Sequence, residues 1–142
     1  MRLQVIDACA TVPRNDAGTW ITDDMILAYK ALHQRGHAHS VEIWDDENLV
    51  GGLYGVAVGK VFCGESMFHT VTNTSKLAML HLVNLVNSDG ALFIDCQMQN
   101  AHLASLGCCE VTREQFLSLL SKQNQRQFSH ALWQARFLEA TI

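Results

Sequence analysis

The sequence is short of proline, of positive charge and of long apolar runs. Pro13 is the one proline in 142 residues, and no low-complexity tract or internal repeat divides the chain. A single domain over residues 1–142 is therefore expected, with a core burying roughly two thirds of the unfolded surface. No apolar run approaches the roughly 20 residues that span a bilayer, and Met1 to Asp7 lack the apolar stretch of a signal peptide. A cytoplasmic chain without membrane association is the expectation. Ten Lys and Arg against fourteen Asp and Glu give a net charge of −4, so charge taken alone disfavours a nucleic-acid partner.

Motifs that would announce a cofactor or metal are also missing. The five cysteines, Cys9, Cys63, Cys96, Cys108 and Cys109, are odd in number and form no C-x-x-C, which argues against a disulfide framework and a zinc ribbon. They read as reduced, packed thiols, the vicinal Cys108-Cys109 pair included. There is no P-loop, G-x-G-x-x-G, G-x-S-x-G or H-E-x-x-H. His37 and His39 share a face if their segment is extended, but no third ligand stands at matching spacing. They and His33, His69, His81, His102 and His130 read as packed or surface histidines, so no metal site is expected among them.

What is present is a set of alternating and helical patterns. Gln4 to Ala8 reads as a short strand, followed by a loop from Thr11 to Gly18. From Thr22, a capping residue followed by Asp23 and Asp24, the stripe Met25, Ile26, Ala28, Tyr29 and Leu32 predicts a helix ending at Gly36. His39 to Trp44, Leu49 to Val58 and Lys60 to Met67 predict three strands of an antiparallel meander. A helix over Asn73 to Asn87, a buried strand at Leu92 to Asp95, and helices at Asn100 to Leu106 and Thr112 to Lys122 come next. The tail, with Phe128, Leu132, Trp133 and Phe137, reads as a final strand. The order predicts an α+β fold, a mainly antiparallel mixed sheet flanked by helices, as in GNAT-type acyltransferases.

Two places concentrate polar groups where a strand should be apolar. Glu65 interrupts the run Val61 to Phe68, and an unpaired charge there would be costly. It is either a strand end reaching solvent or an arginine, or a polar group in a hydrophobic pocket. In Ile94-Asp95-Cys96-Gln97, the two-residue period of a strand sends Asp95 and Gln97 to one side. They read equally as a site at a strand's end and as a capping Asp with its neighbour.

The blocks Gly18-Thr19-Trp20-Ile21-Thr22, Gly36 to Glu42, Leu49 to Val56, Gly64-Glu65-Ser66-Met67-Phe68, Ile94-Asp95-Cys96-Gln97 and His102 to Gly107 come in an order and spacing that resemble the leucyl/phenylalanyl-tRNA-protein transferase family over about residues 4 to 120. The resemblance implies transfer of Leu, Phe or Met from aminoacyl-tRNA to an amino-terminal Arg or Lys of a protein, marking it for degradation, with no metal or coenzyme A. It implies that Leu53, Phe62, Glu65, Leu82 and Ile94 line the side-chain pocket and that Trp20, flanked by Tyr29, stacks on the terminal adenine of the tRNA. Asp95 and Gln97 match the pair that acts on the incoming α-amine, with Asn100 nearby. The family's amino-terminal domain has no counterpart in the sequence, so weak tRNA binding by this chain alone, and self-association or a partner over the surface that domain would cover, are expected. Two other classes remain open: a non-catalytic module that binds basic amino termini or a partner protein, and an acyl-CoA-dependent GNAT enzyme, whose pyrophosphate loop is absent ahead of Asn73.

Overall fold

A computed structural model describes residues 4–12 and 19–138. The elements are α1 (Gln4–Thr11), α2 (Asp23–Gln34), β1 (Ala38–Asp45), β2 (Asn48–Val58), β3 (Val61–His69), α3 (Thr74–Ser88), β4 (Ile94–Asp95), α4 (Ala101–Ser105), α5 (Arg113–Gln123) and a 3-10 turn at His130–Trp133. The sheet runs β1-β2-β3-β4, antiparallel through the first three strands and parallel between β3 and β4. This is the α+β layer expected from the sequence, a mainly antiparallel sheet with helices on both faces. None of the described helices is long and apolar enough to cross a membrane.

Local chemistry accounts for the helix starts. The Thr22 hydroxyl accepts from the Met25 N–H at 3.3 Å, and Asp23 and Asp24 fill the positive first turn of α2. Thr112 and Gln115 form a reciprocal capping box on α5. The segment read as a strand at Gln4 to Ala8 is instead helix α1. Its β-branched Val5 and Ile6 suggested extension, but Val5, Ile6 and Cys9 form a helical stripe, all fully buried. Packing of that stripe against Ile21, Tyr54 and Phe68 overrides the local preference.

On the opposite face, Ala78, Leu82 and Val86 of α3 pack against Val41, Leu53 and Phe62. The tail is the second correction: no final strand forms among its described residues. Trp133 stacks on His39 with ring centroids 4.1 Å apart and also meets Phe62 and Phe128. The aromatic spacing anchors the tail by single rings plugged into the core, so Phe137 is left 99% exposed. Lys60 fixes the approach to the tail from the other side through its ion pair with Asp89 at 3.2 Å, whose other role is to accept from the Ser129 N–H.

Strand β3 departs from regular pairing on both of its sides. Tyr54 pairs with Ser66 while Gly55 pairs with Gly64, so Glu65 is the extra residue of a β-bulge. Gly55 is required there, because a Cβ would run into the Cys63 carbonyl and lie 2.5 Å from the Phe62 ring. Toward β4, β3 is paired only at Phe62 and Cys63, since the expected strand Leu92 to Asp95 contracts to two residues.

Candidate active site

Beyond Cys63, the β3 edge separates from β4 and a cleft of about 350 Å³ opens. Gly64, Glu65, Ser66 and Met67 all line it. Successive residues of a strand face opposite sides, so a cleft touching all four follows the strand's open edge through the sheet. Its apolar part is built by Leu53 of β2, Met79 and Leu82 of α3, and Ile94 of β4. Trp20, half exposed, and Met98, Asn100, His102 and Leu103 complete it around the mouth.

Of the residues singled out in the sequence, Trp20, Leu53, Glu65, Leu82, Ile94, Gln97 and Asn100 are brought together on this wall. Phe62 is not on it. It lies beneath, 1% exposed, supporting Leu53 and Leu82. Tyr29 is behind the wall, where its phenol hydrogen-bonds the Glu65 carboxylate. Burial and then that hydrogen bond push Tyr29 up to about 12, so it stays a phenol and a donor to Glu65. The bulge explains how a carboxylate within an apolar run reaches both the cleft and Tyr29.

Asp95 and Gln97 do not share one side by strand alternation. β4 ends at Asp95, Gln97 adopts a left-handed backbone with φ +63°, and Cys96 rather than Asp95 lines the cleft. The pair is nevertheless coupled. Asp95 Oδ1 accepts from the Gln97 N–H at 2.8 Å, and Gln97 Nε2 donates to the Gly64 carbonyl at 2.9 Å. The Gln97 amide thereby takes the place of the missing ladder bond at the point where the sheet opens. Asn100 commits its Oδ1 to the Leu103 N–H at 2.8 Å, capping α4.

The thiols beside the cleft are poor nucleophiles. Burial, then the neighbouring Cys108 thiol, raise Cys96 to about 11, and burial, then Asp95 and Glu65, raise Cys63. The arrangement can hold an elongated apolar group against Leu53, Leu82 and Ile94 and present amide, imidazole and carboxylate groups at its edge. Sequence reasoning missed Met67, Met79, Cys96, Met98 and His102 as wall residues. Met67, Cys96 and His102 lie within the blocks that carry the resemblance, whereas Met79 and Met98 had no signal beyond proximity in sequence to Leu82 and Gln97, and nothing in periodicity separates such residues from ordinary packing.

An apolar cleft along an opened edge of an α+β sheet, with polar groups at its mouth, fits an acyltransferase-like fold. Comparison with known proteins makes the class specific. The family model described as leucyl/phenylalanyl-tRNA protein transferase matches residues 2–121. A leucyl/phenylalanyl-tRNA–protein transferase from Pseudoalteromonas atlantica is 60% identical over 135 residues, covering 95% of this chain and 58% of its own. Its namesake from Idiomarina loihiensis is 50% identical, covering 95% and 57%. That from Nitrosospira multiformis is 57% identical over 118 residues, covering 83% and 51%. The chain belongs to the leucyl/phenylalanyl-tRNA–protein transferase family, and it spans a little over half the length of these curated relatives.

Proposed function

We propose that the chain carries the aminoacyl pocket and acceptor site of a cytoplasmic aminoacyltransferase that moves Leu, Phe or Met from the 3′ end of aminoacyl-tRNA to an N-terminal Arg or Lys of a protein, marking that protein for degradation. The observation that carries the reading is the cleft: an apolar slot of about 350 Å³ bounded by Leu53, Leu82 and Ile94, reached by Glu65 and overlooked by Gln97. Such a slot selects long unbranched and aromatic side chains by shape, at roughly 1 to 3 kcal/mol per methylene-sized mismatch. Trp20, half exposed at the wall, offers a face to the terminal adenine, a contact worth roughly 1 to 3 kcal/mol.

The aminoacyl ester is already activated, so placing the acceptor amine supplies much of the rate. In this reading Gln97 orients the amine, and Asp95 holds Gln97 in its left-handed conformation through the backbone hydrogen bond. A net charge of −4 leaves the tRNA body weakly held by this chain, because phosphate contacts dominate affinity. The test is transfer of radiolabelled Phe from Phe-tRNA to an Arg-terminated peptide by the full chain. Transfer reduced at least tenfold in Asp95→Ala supports the proposal; transfer no faster than that of the variant defeats it.

A further inference from the structure

The seven histidines are not equivalent. His39 is buried beneath Trp133, His33 Nδ1 lies 2.7 Å from the Ala38 carbonyl, His69 lies 3.3 Å from the Ser75 hydroxyl, and His81 lines a separate groove beside β1. His102 alone stands on the wall of the cleft, in α4 and two residues past its cap Asn100. Around that wall β2 contributes the Tyr54 phenol, β3 contributes Glu65, backed by Tyr29 of α2, and the segment after β4 contributes Cys96, backed by Cys108, whereas α3 contributes only apolar groups. Asp95 is off the wall with its Oδ1 committed to the Gln97 N–H.

We propose that His102 is the group that takes the proton from the attacking α-amine. The inference rests on the aminoacyl-transfer reading. The amine nitrogen bonds to the carbonyl carbon of the aminoacyl ester, and the bond from that carbon to the tRNA ribose oxygen breaks. The proton leaving nitrogen goes to the imidazole of His102 and from there to the departing oxygen, so the imidazole is restored at the end of the cycle. Imidazole is suited to both halves because it gains and loses a proton near neutrality, which carboxylates, thiols and phenols ordinarily do not.

The decisive measurement is the imidazole titration of His102 by nitrogen-15 NMR in the full chain, alone and with an Arg-terminated peptide or its N-acetylated form. The free-amine peptide, bringing a positive charge beside the ring, is expected to lower the His102 midpoint by about half a unit or more, and the acetylated one to leave it in place. His102→Gln is expected to lose about 10²-fold in kcat/KM for the peptide and to flatten the acidic limb of the pH profile, with KM for Phe-tRNA retained. A midpoint indifferent to the free amine, or a variant with wild-type rate and pH profile, overturns the assignment. Should the wild-type chain transfer nothing, the transferase reading fails, and the NMR midpoint still decides whether His102 meets the amine.

Discussion

Acid should loosen the tail through one buried ring. His39 is 8% exposed, its Nε2 has no hydrogen-bond partner, and Trp133 covers it face on with an interplanar angle of 7°. Burial first, then the charge of His33, lower its pKa from 6.5 to about 4, against an opposing hydrogen bond with the Gly36 backbone and with a lesser contribution from His37. The unfolded chain therefore binds a proton over that interval that the folded chain refuses. The stabilisation is complete above 6.5 and is lost as pH falls toward 4, at about 1.4 kcal/mol per unit, so lowering pH from 7 to 5 should cost about 2 kcal/mol through this ring. His39→Phe keeps a ring against Trp133 but carries no proton. Urea melts followed by tryptophan fluorescence should show the wild-type protein losing about 2 kcal/mol more than His39→Phe between the two pH values. Equal losses would refute the account. The consequence would extend to the cleft, since Trp133 also packs on Phe62, 5.5 Å away, which supports Leu53 and Leu82.

Three further outcomes are expected of the cleft itself. Gln97→Ala and Gln97→Gly both lose the amide bond to Gly64, but glycine accepts φ +63° without strain, so Gln97→Gly should be the more stable of the two by about 1 kcal/mol in urea melts; coincident melts would rule strain out at this position. Tyr29, raised to about 12, contributes stability that is complete below 10 and is lost as pH rises from 10 to 12; in an ultraviolet tyrosinate titration Glu65→Gln should bring its midpoint down only part of the way, because burial is the larger cause, and an unmoved midpoint would deny the hydrogen bond a part. Leu82→Ala should cost about 2 to 3 kcal/mol, low in the range for a fully buried leucine because one side already faces the cleft, and should shift transfer toward bulkier side chains in competition between aminoacyl-tRNAs; an unchanged preference would take Leu82 out of the pocket.

The parts of the fold that the sequence announced are those in which pattern and packing agree. The Thr22 cap and its apolar stripe marked α2, the alternation through Trp44, Tyr54 and Phe62 marked the meander, and Leu77 to Leu85 marked α3. Where they disagree, tertiary contacts prevail. Val5 and Ile6 favour extension but are helical, because α1 places Cys9 on the same buried face. Phe128, Leu132 and Trp133 have strand-like composition but flank or form a 3-10 turn, in which Leu132 is buried and the Phe128 and Trp133 rings meet edge to face against the core around Phe62. The candidate site was legible as a set of residues and not as a geometry. Nothing in Gly64-Glu65-Ser66 marks a bulge, and nothing in Ile94 to Gln97 says that the strand stops at Asp95; both depend on what the neighbouring strand leaves unpaired.

The early end of β4 also defines what Asp95 can do. In a regular parallel pair the bond to the Gly64 carbonyl would come from backbone, and Asp95 and Gln97 would project together. With β4 ending after Asp95, the bond comes from the Gln97 side chain, and the Gln97 backbone is turned into the left-handed region by a hydrogen bond to the Asp95 carboxylate. Asp95 thus acts at one remove, holding the residue that holds the open edge. Removing its carboxylate would let Gln97 relax, free the Gly64 carbonyl and reshape the wall on which Cys96, Asn100 and His102 stand. A loss of transfer in Asp95→Ala therefore supports the cleft as the site of reaction but does not make Asp95 the proton acceptor. That role requires a titratable group on the wall whose own protonation responds to the amine.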